Sequence, residues 1–137
     1  MKIEIFALCD AATDYGGKLN ILGAFDGIFA PKVPVVQAHC AIALRLRLSK
    51  VEEGKHHIKL NLIDQDGRLV VPGMDANVDV KVPSHRDSVA INLVLNLQQL
   101  KFEQFDEYSL DLAIDNRHEA SLPISVVKLE NNRPALP

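Results

Sequence analysis

Carboxylates and histidines are the residues of this chain that could do chemistry. Asp64-Gln65-Asp66-Gly67 has the alternating carboxylates and tip glycine with which a calcium loop opens, because two such oxygens can converge on one hard cation. Its continuation departs from that pattern: Arg68 stands at the third ligand position and Asp75, not glutamate, at the twelfth. The segment therefore reads as a turn whose aspartate accepts local amides. Five histidines raise a zinc question. His56 adjoins His57 and His39 adjoins Cys40, and on a strand adjacent side chains point to opposite faces, so neither pair easily serves one metal. A site joining His39, His57, His85 or His118 requires separate strands to converge, and solvated or structural histidines are the simpler reading. No cofactor or metal is expected.

Hydrolase chemistry has equally little support. The chain has no Gly-x-Ser-x-Gly elbow, no His-Glu-x-x-His helix and no glycine-rich phosphate loop, and Ser84-His85 is mere adjacency in a loop. Arg45 and Arg47 share a wet face. If their strand pairs with Lys55 to Ile63, then His57 and Lys59 extend it into a small cationic surface for an acidic ligand or partner, against the plainer reading of ordinary strand solubilisation.

The elements that must position these groups are strands. From Ala38 to Leu48, Cys40, Ile42, Leu44, Leu46 and Leu48 alternate with His39, Ala43, Arg45 and Arg47, a period of two that a half-buried strand requires. The pattern recurs along the chain. Lys2 to Cys9 and Lys18 to Phe25 flank Gly16-Gly17 as a hairpin, and Asp26 to Gln37, with Gly27, Pro31 and Pro34, reads as a crossover between sheets. A second hairpin is expected between Ala38–Leu48 and Lys55–Ile63 around Glu52-Glu53-Gly54. Leu69-Val70-Val71 follows as a short apolar run, then strands around Val78–Val82, Val89–Leu97, Tyr108–Ile114 and Ala120–Val126, with Gln98 to Asp106 as a connection. Pro123 favours an edge position. The fold class is all-β: a single antiparallel β-sandwich of about eight strands, immunoglobulin-like or jelly-roll-like, over residues 1–130, with 131–137 as a frayed C-terminal tail.

Composition narrows the functional classes. With 137 residues the chain is the size of one domain; 47% hydrophobic content excludes a disordered chain, and a net charge of −3 disfavours a general polyanion binder. Tryptophan is absent and aromatics reach only 5%, so the stacking platforms of single-strand nucleic-acid or typical carbohydrate binders are scarce. Glu4 and Asp10 interrupt the apolar start, which reads as a strand and not an export signal, and no run approaches the length needed to span a bilayer. The expected compartment is the cytoplasm, where Cys9 and Cys40 are small buried hydrophobes kept reduced.

Three segments, Phe6-Ala7-Leu8-Cys9-Asp10-Ala11-Ala12, Asn20-Ile21-Leu22-Gly23-Ala24-Phe25-Asp26 and Tyr108-Ser109-Leu110-Asp111-Leu112-Ala113-Ile114-Asp115, resemble those of a bacterial family of small proteins known only as a domain of unknown function. The resemblance covers most of the chain. It implies a single small β-sandwich and transfers no catalytic or ligand-binding residue, because its motifs are strands and turns.

The expected function is a non-enzymatic protein-interaction or self-association module. Its candidate interface residues are Ile5, Phe6, Leu8, Phe25, Ile28 and Phe29: the first strand offers apolar groups to both faces, and the proline-bearing crossover carries more apolar area than a loop usually exposes. The expected partner is a second copy, in a homodimer formed through the first strand or the Phe25–Val36 crossover, or another protein, with no nucleic acid and no membrane. The alternatives are a small-ligand or metal-binding sandwich using the loops Asp64–Gly67, Pro83–Asp87 and Asp115–His118, and an uncharacterised hydrolase.

Overall fold

Among the described residues the chain forms nine strands: β1 (Lys2–Tyr15), β2 (Lys18–Ala24), β3 (Gly27–Ala30), β4 (Val35–Ser49), β5 (Gly54–Ile63), β6 (Met74–Val80), β7 (Ser88–Phe102), β8 (Glu107–Ile114) and β9 (Arg117–Lys128). This computed structural model describes residues 1–130; the expected frayed tail lies outside the described residues. The strands make a four-stranded sheet ordered β2-β1-β4-β7 and a five-stranded sheet ordered β3-β9-β8-β5-β6. Both bury their inner faces in one core. Ile42, Leu44 and Leu46 of β4 pack with Ile58, Leu60 and Leu62 of β5, Leu110 and Leu112 of β8 and Ile124 of β9. Phe102 and Tyr108 meet edge-on at 4.8 Å between ring centres. Among the described residues no helix is long and apolar enough to cross a membrane.

Four expectations are corrected, and the place of one apolar run is settled. The additional strand is β3, inside the expected crossover; it runs parallel to β9, from Gly27 opposite Ser125 to Ala30 opposite Lys128, so pairing is not wholly antiparallel. No hairpin joins Ala38–Leu48 to Lys55–Ile63. Both edges of β4 are already occupied, by β1 and β7, so the chain turns at Lys50–Glu52, where the Glu52 carboxylate accepts the Ser49 amide at 2.9 Å, and β5 starts in the other sheet. The cationic surface joining Arg45 and Arg47 to His57 and Lys59 dissolves with that hairpin: Glu4 binds both Arg45 (3.0 Å) and Arg47 (2.7 Å), while His57 contacts Asp75 at 2.7 Å. Leu69-Val70-Val71 makes a single bridge, Leu69 to Ile63, and Val70 and Val71 pack on the core from a loop. The Gln98–Asp106 connection is shorter than expected because β7 continues to Phe102, placing Leu100 and Phe102 in the core beyond a left-handed Gln99 (φ 53°).

The outer face of β4 is not wet throughout. Ala41 and Ala43 are fully buried with Cys9, Ala12, Leu19 and Val94 in a second, smaller cluster. β1 pairs with β4 only up to Cys9, and its distal half pairs with β2 as a ribbon that covers this patch. The ribbon's tip is anchored by Asn92 of β7, which donates its amide to the Gly17 carbonyl at 3.1 Å. Alanines at 41 and 43 allow that close approach, and Gly16 and Gly17, both at positive φ, turn the ribbon.

The core predicts its own energetics. Leu44→Ala and Leu112→Ala are expected to cost about 2–5 kcal/mol each in urea unfolding, and Leu93→Ala less, because Leu93 lies on an edge strand and keeps part of its surface in water. Cys9 and Cys40 are unpaired and fully buried, and burial pushes the Cys40 thiol up to about 11. Neither should react with an aromatic disulfide reagent at neutral pH before global unfolding; prompt labelling of the native protein would contradict the packing described.

Candidate functional site

An apolar groove of about 420 Å³ opens between the two sheets, lined by Phe6, Leu8 and Phe25 on one side and Leu122, Pro123 and Ile124 on the other. It exists because two strands lose their neighbours at the same place. β1 has β2 beside it only from Cys9 onward, so Lys2–Leu8 has no strand on the side away from β4. β9 has β3 beside it only from Ser125 onward, which leaves Leu122 to Ile124 without a strand on that side. Where the chain crosses between sheets it closes one end of the gap: the Phe25 amide donates to the Leu8 carbonyl at 2.9 Å, and the Ser125 amide donates to the Asp26 carbonyl at 2.8 Å.

These two bonds set the polarity of both walls. Leu8 turns its carbonyl away from β4, and by the two-residue repeat of a strand Phe6 turns its amide and carbonyl the same way, into the groove. Ser125 turns its amide away from β8. Position 123 has the same orientation, and proline there has no amide to present. The β1 wall offers a donor and an acceptor to an extended backbone, whereas the β9 wall offers only carbonyls. Pro123 thus stands on a locally open edge, as its residue type required, although β9 itself is an interior strand.

Of the candidate interface residues, Phe6, Leu8 and Phe25 come together in this groove. Ile28 is 7% exposed and belongs to the core; it and Phe29 line a neighbouring shallow cleft with Val35 and Val36. Ile5 lies opposite Arg45 in the β1–β4 ladder and does not line the groove. Leu122 and Ile124, the far wall, were not singled out in the sequence because nothing local reveals that β3 stops short of them.

The three polar loops do not gather at one end of the molecule. Asp64 and Asp115 lie toward opposite ends of the five-stranded sheet, since Ile63 pairs with Ser109 while Ile58 pairs with Ile114. Asp64 spends one carboxylate oxygen on the amides of Asp66 and Arg68, both at 2.9 Å, which is the local capping role expected of a turn. The Pro83–Asp87 loop closes on itself through the Arg86 amide and Pro83 carbonyl at 3.0 Å. Among the described residues no three His, Cys, Asp or Glu side chains are grouped to hold a metal. One serine–histidine contact does occur, His118 Nε2 to Ser121 Oγ at 2.8 Å, but Ser121 also donates to Asp111 at 2.6 Å. With its proton on the carboxylate, Ser121 accepts from the imidazole, the reverse of an activated nucleophile, whose carboxylate partners the histidine.

Fold and groove together define an all-β protein of two sheets on one core, with β1 and β9 each open along part of one edge at the groove. Residues 4–127 match the family of unknown function DUF6941, and the chain belongs to that family. No curated protein matches it. A solved glycosyl hydrolase family 2 member from Bacteroides cellulosilyticus DSM 14838 is similar at 13% identity and a TM-score of 0.41 over 67% of this chain; the chain spans 13% of that protein's length.

His56 is held by polar groups on both ring nitrogens. Its Nδ1 lies 2.6 Å from Asp115 and its Nε2 lies 2.6 Å from the Glu52 carbonyl, so two acceptors face one ring and the doubly protonated imidazolium is favoured. The Glu52 carbonyl, and then Asp115, raise the His56 pKa above its ordinary 6.5, while the His57 amide, and then His56, lower that of Asp115 below 3.8. The signs follow by linkage. The histidine's contribution to stability is complete below 6.5 and is lost as pH rises through its higher folded value; the aspartate's is complete above 3.8 and is lost as pH falls through its lower folded value. In an NMR titration the His56 ring should show a midpoint above 6.5, and His56→Gln should remove the decline in urea midpoint on the alkaline side of that value. A ring midpoint at or below 6.5 would contradict this geometry.

Proposed function

We propose that this protein is a non-enzymatic protein-interaction module whose groove takes an extended segment of another protein by strand addition to β1. The observation that supports this reading is the combination, in one place, of apolar walls and outward backbone groups on Phe6. Main-chain bonds to such an edge supply affinity, and the pockets for alternate side chains supply selectivity. The chemistry of the occupant follows from the lining. An aliphatic side chain fits between Phe6, Phe25 and Leu122, and a basic residue beside it faces the exposed carboxylate of Asp26 at the closed end. Because Pro123 presents no amide, the guest pairs with β1 and merely packs against β9.

An array of extended hexapeptides combining one lysine or arginine with alternating aliphatic residues tests this. Binders should perturb the amides of Phe6–Leu8 and Leu122–Ile124 in the NMR spectrum, and Phe6→Ala should weaken them by about tenfold or more, as loss of a central aromatic contact does. An array without binders, or binders whose shifts lie elsewhere, would remove the groove from the reading.

A further inference from the structure

We infer that a second copy of this chain pairs with β7 in antiparallel fashion about a two-fold axis at Val94, joining two four-stranded sheets into one. The inference does not rest on the groove, which lies toward the opposite side of the sheet. β7 is the outermost strand of its sheet, 15 residues long, and from Ser88 to Leu100 it carries no charge and no proline. The other outermost strands are defended: β3 has only four residues, β6 carries Asp75 and Asp79, and β2 is short, with Lys18 at one end and a left-handed Gly23. An undefended edge of that length is a template for another strand.

Backbone polarity selects the register. Leu8 turns its carbonyl away from β4, so its β4 partner Ile42 turns its own amide and carbonyl toward β7, onto Leu95. Alternation then sends the backbone groups of Ile91, Leu93, Leu95 and Leu97 into the β4 ladder and those of Ala90, Asn92, Val94, Asn96 and Gln98 out over the open edge. Residues of this second set must face one another across the axis. The sequence Ile91-Asn92-Leu93-Val94-Leu95-Asn96-Leu97 reads nearly the same in both directions, and its centre, Val94, belongs to that set. With the axis there, Val94 meets its own copy, Asn92 meets Asn96, Leu93 meets Leu95 and Ile91 meets Leu97. Every outward group from Ala90 to Gln98 finds a partner.

Side chains and charge agree with that register. Ile91, Leu93, Leu95 and Leu97 are only half-buried where their β4 neighbours Leu44 and Leu46 are sealed, and the second copy covers their open side. Beyond the uncharged stretch, the same register sets Asp87 opposite Lys101 of the second copy and, by symmetry, Lys101 opposite its Asp87, so opposite charges bracket both ends. Self-complementarity of this kind identifies a closed two-fold interface.

Sedimentation equilibrium at micromolar concentration should give twice the chain mass. Asn96→Pro deletes an amide only on the open side, at an exposed position, and should sediment as a monomer with unchanged far-ultraviolet circular dichroism while still binding any groove peptide. Val94→Cys should cross-link under mild oxidation, since facing residues of a hydrogen-bonded antiparallel pair lie about 5.5 Å apart, whereas Asn96→Cys, about 15 Å from its symmetry mate, should not. Native Cys9 and Cys40 are buried and do not compete. Should Val94→Cys fail to fold, a mixture of Ala90→Cys and Gln98→Cys proteins reports the same register. A monomeric wild type, a dimer that survives Asn96→Pro, or equal cross-linking at 94 and 96 would overturn the proposal.

Discussion

Occupation of β4 on every side is the constraint from which the remaining architecture follows. Its inner residues Ile42, Leu44 and Leu46 are sealed in the main core, Ala41 and Ala43 are sealed under the β1–β2 ribbon, and its two edges hydrogen-bond to β1 and β7. No edge is left for β5, which is why the chain after Ser49 must change sheets even though its sequence turns as a hairpin would. The ribbon that covers the alanines is itself borrowed from β1, and once β1 has left for the outer face at Cys9, its first half has no neighbour on the groove side.

Unfinished strand edges run along β1 at the groove and along β7 at the margin of its sheet. Unpaired amides and carbonyls carry a specific spacing and direction, so an open edge recognises another backbone more selectively than an apolar patch alone. At the groove the exposed backbone groups are asymmetric, because Pro123 silences one wall. At β7 the edge itself is symmetric, because the residues on either side of Val94 repeat in reverse order. A protein that pairs through β7 and receives a guest at β1 would carry two grooves facing away from its axis, joined through continuous strands.

Polar side chains serve mainly to hold these strands in place. Glu4 bridges Arg45 and Arg47, and Arg45 in turn donates to Asn92 at 2.9 Å, linking β1, β4, β7 and the ribbon tip in one network. Hydrogen bonding to Arg47 keeps the Glu4 carboxyl below its ordinary value, so the bridge remains charged at neutral pH. His56 and Asp115 play the corresponding part at the turn between β8 and β9, whose Asp115 and Asn116 both adopt positive φ in the two-residue hairpin.

What the sequence determined by itself was local. Period-two alternation located the β4, β5, β7, β8 and β9 cores, Gly16-Gly17 marked the reversal between β1 and β2 and Asp115-Asn116 that between β8 and β9, Pro123 marked an open edge, and two cysteines in apolar runs marked buried thiols. Each of these depends on contacts within a few residues, where side-chain direction and backbone preference are legible. Tertiary structure alone decided which strands are neighbours. The same turn chemistry at Glu52-Glu53-Gly54 serves a hairpin or a change of sheet, and only competition for the edges of β4 chooses between them. Ala43 reads as an outward residue until the ribbon lies on it. Phe6 and Leu122 meet across the groove because β2 and β3 each stop short, and the length of a neighbouring strand is a property of long-range pairing that no window of sequence contains.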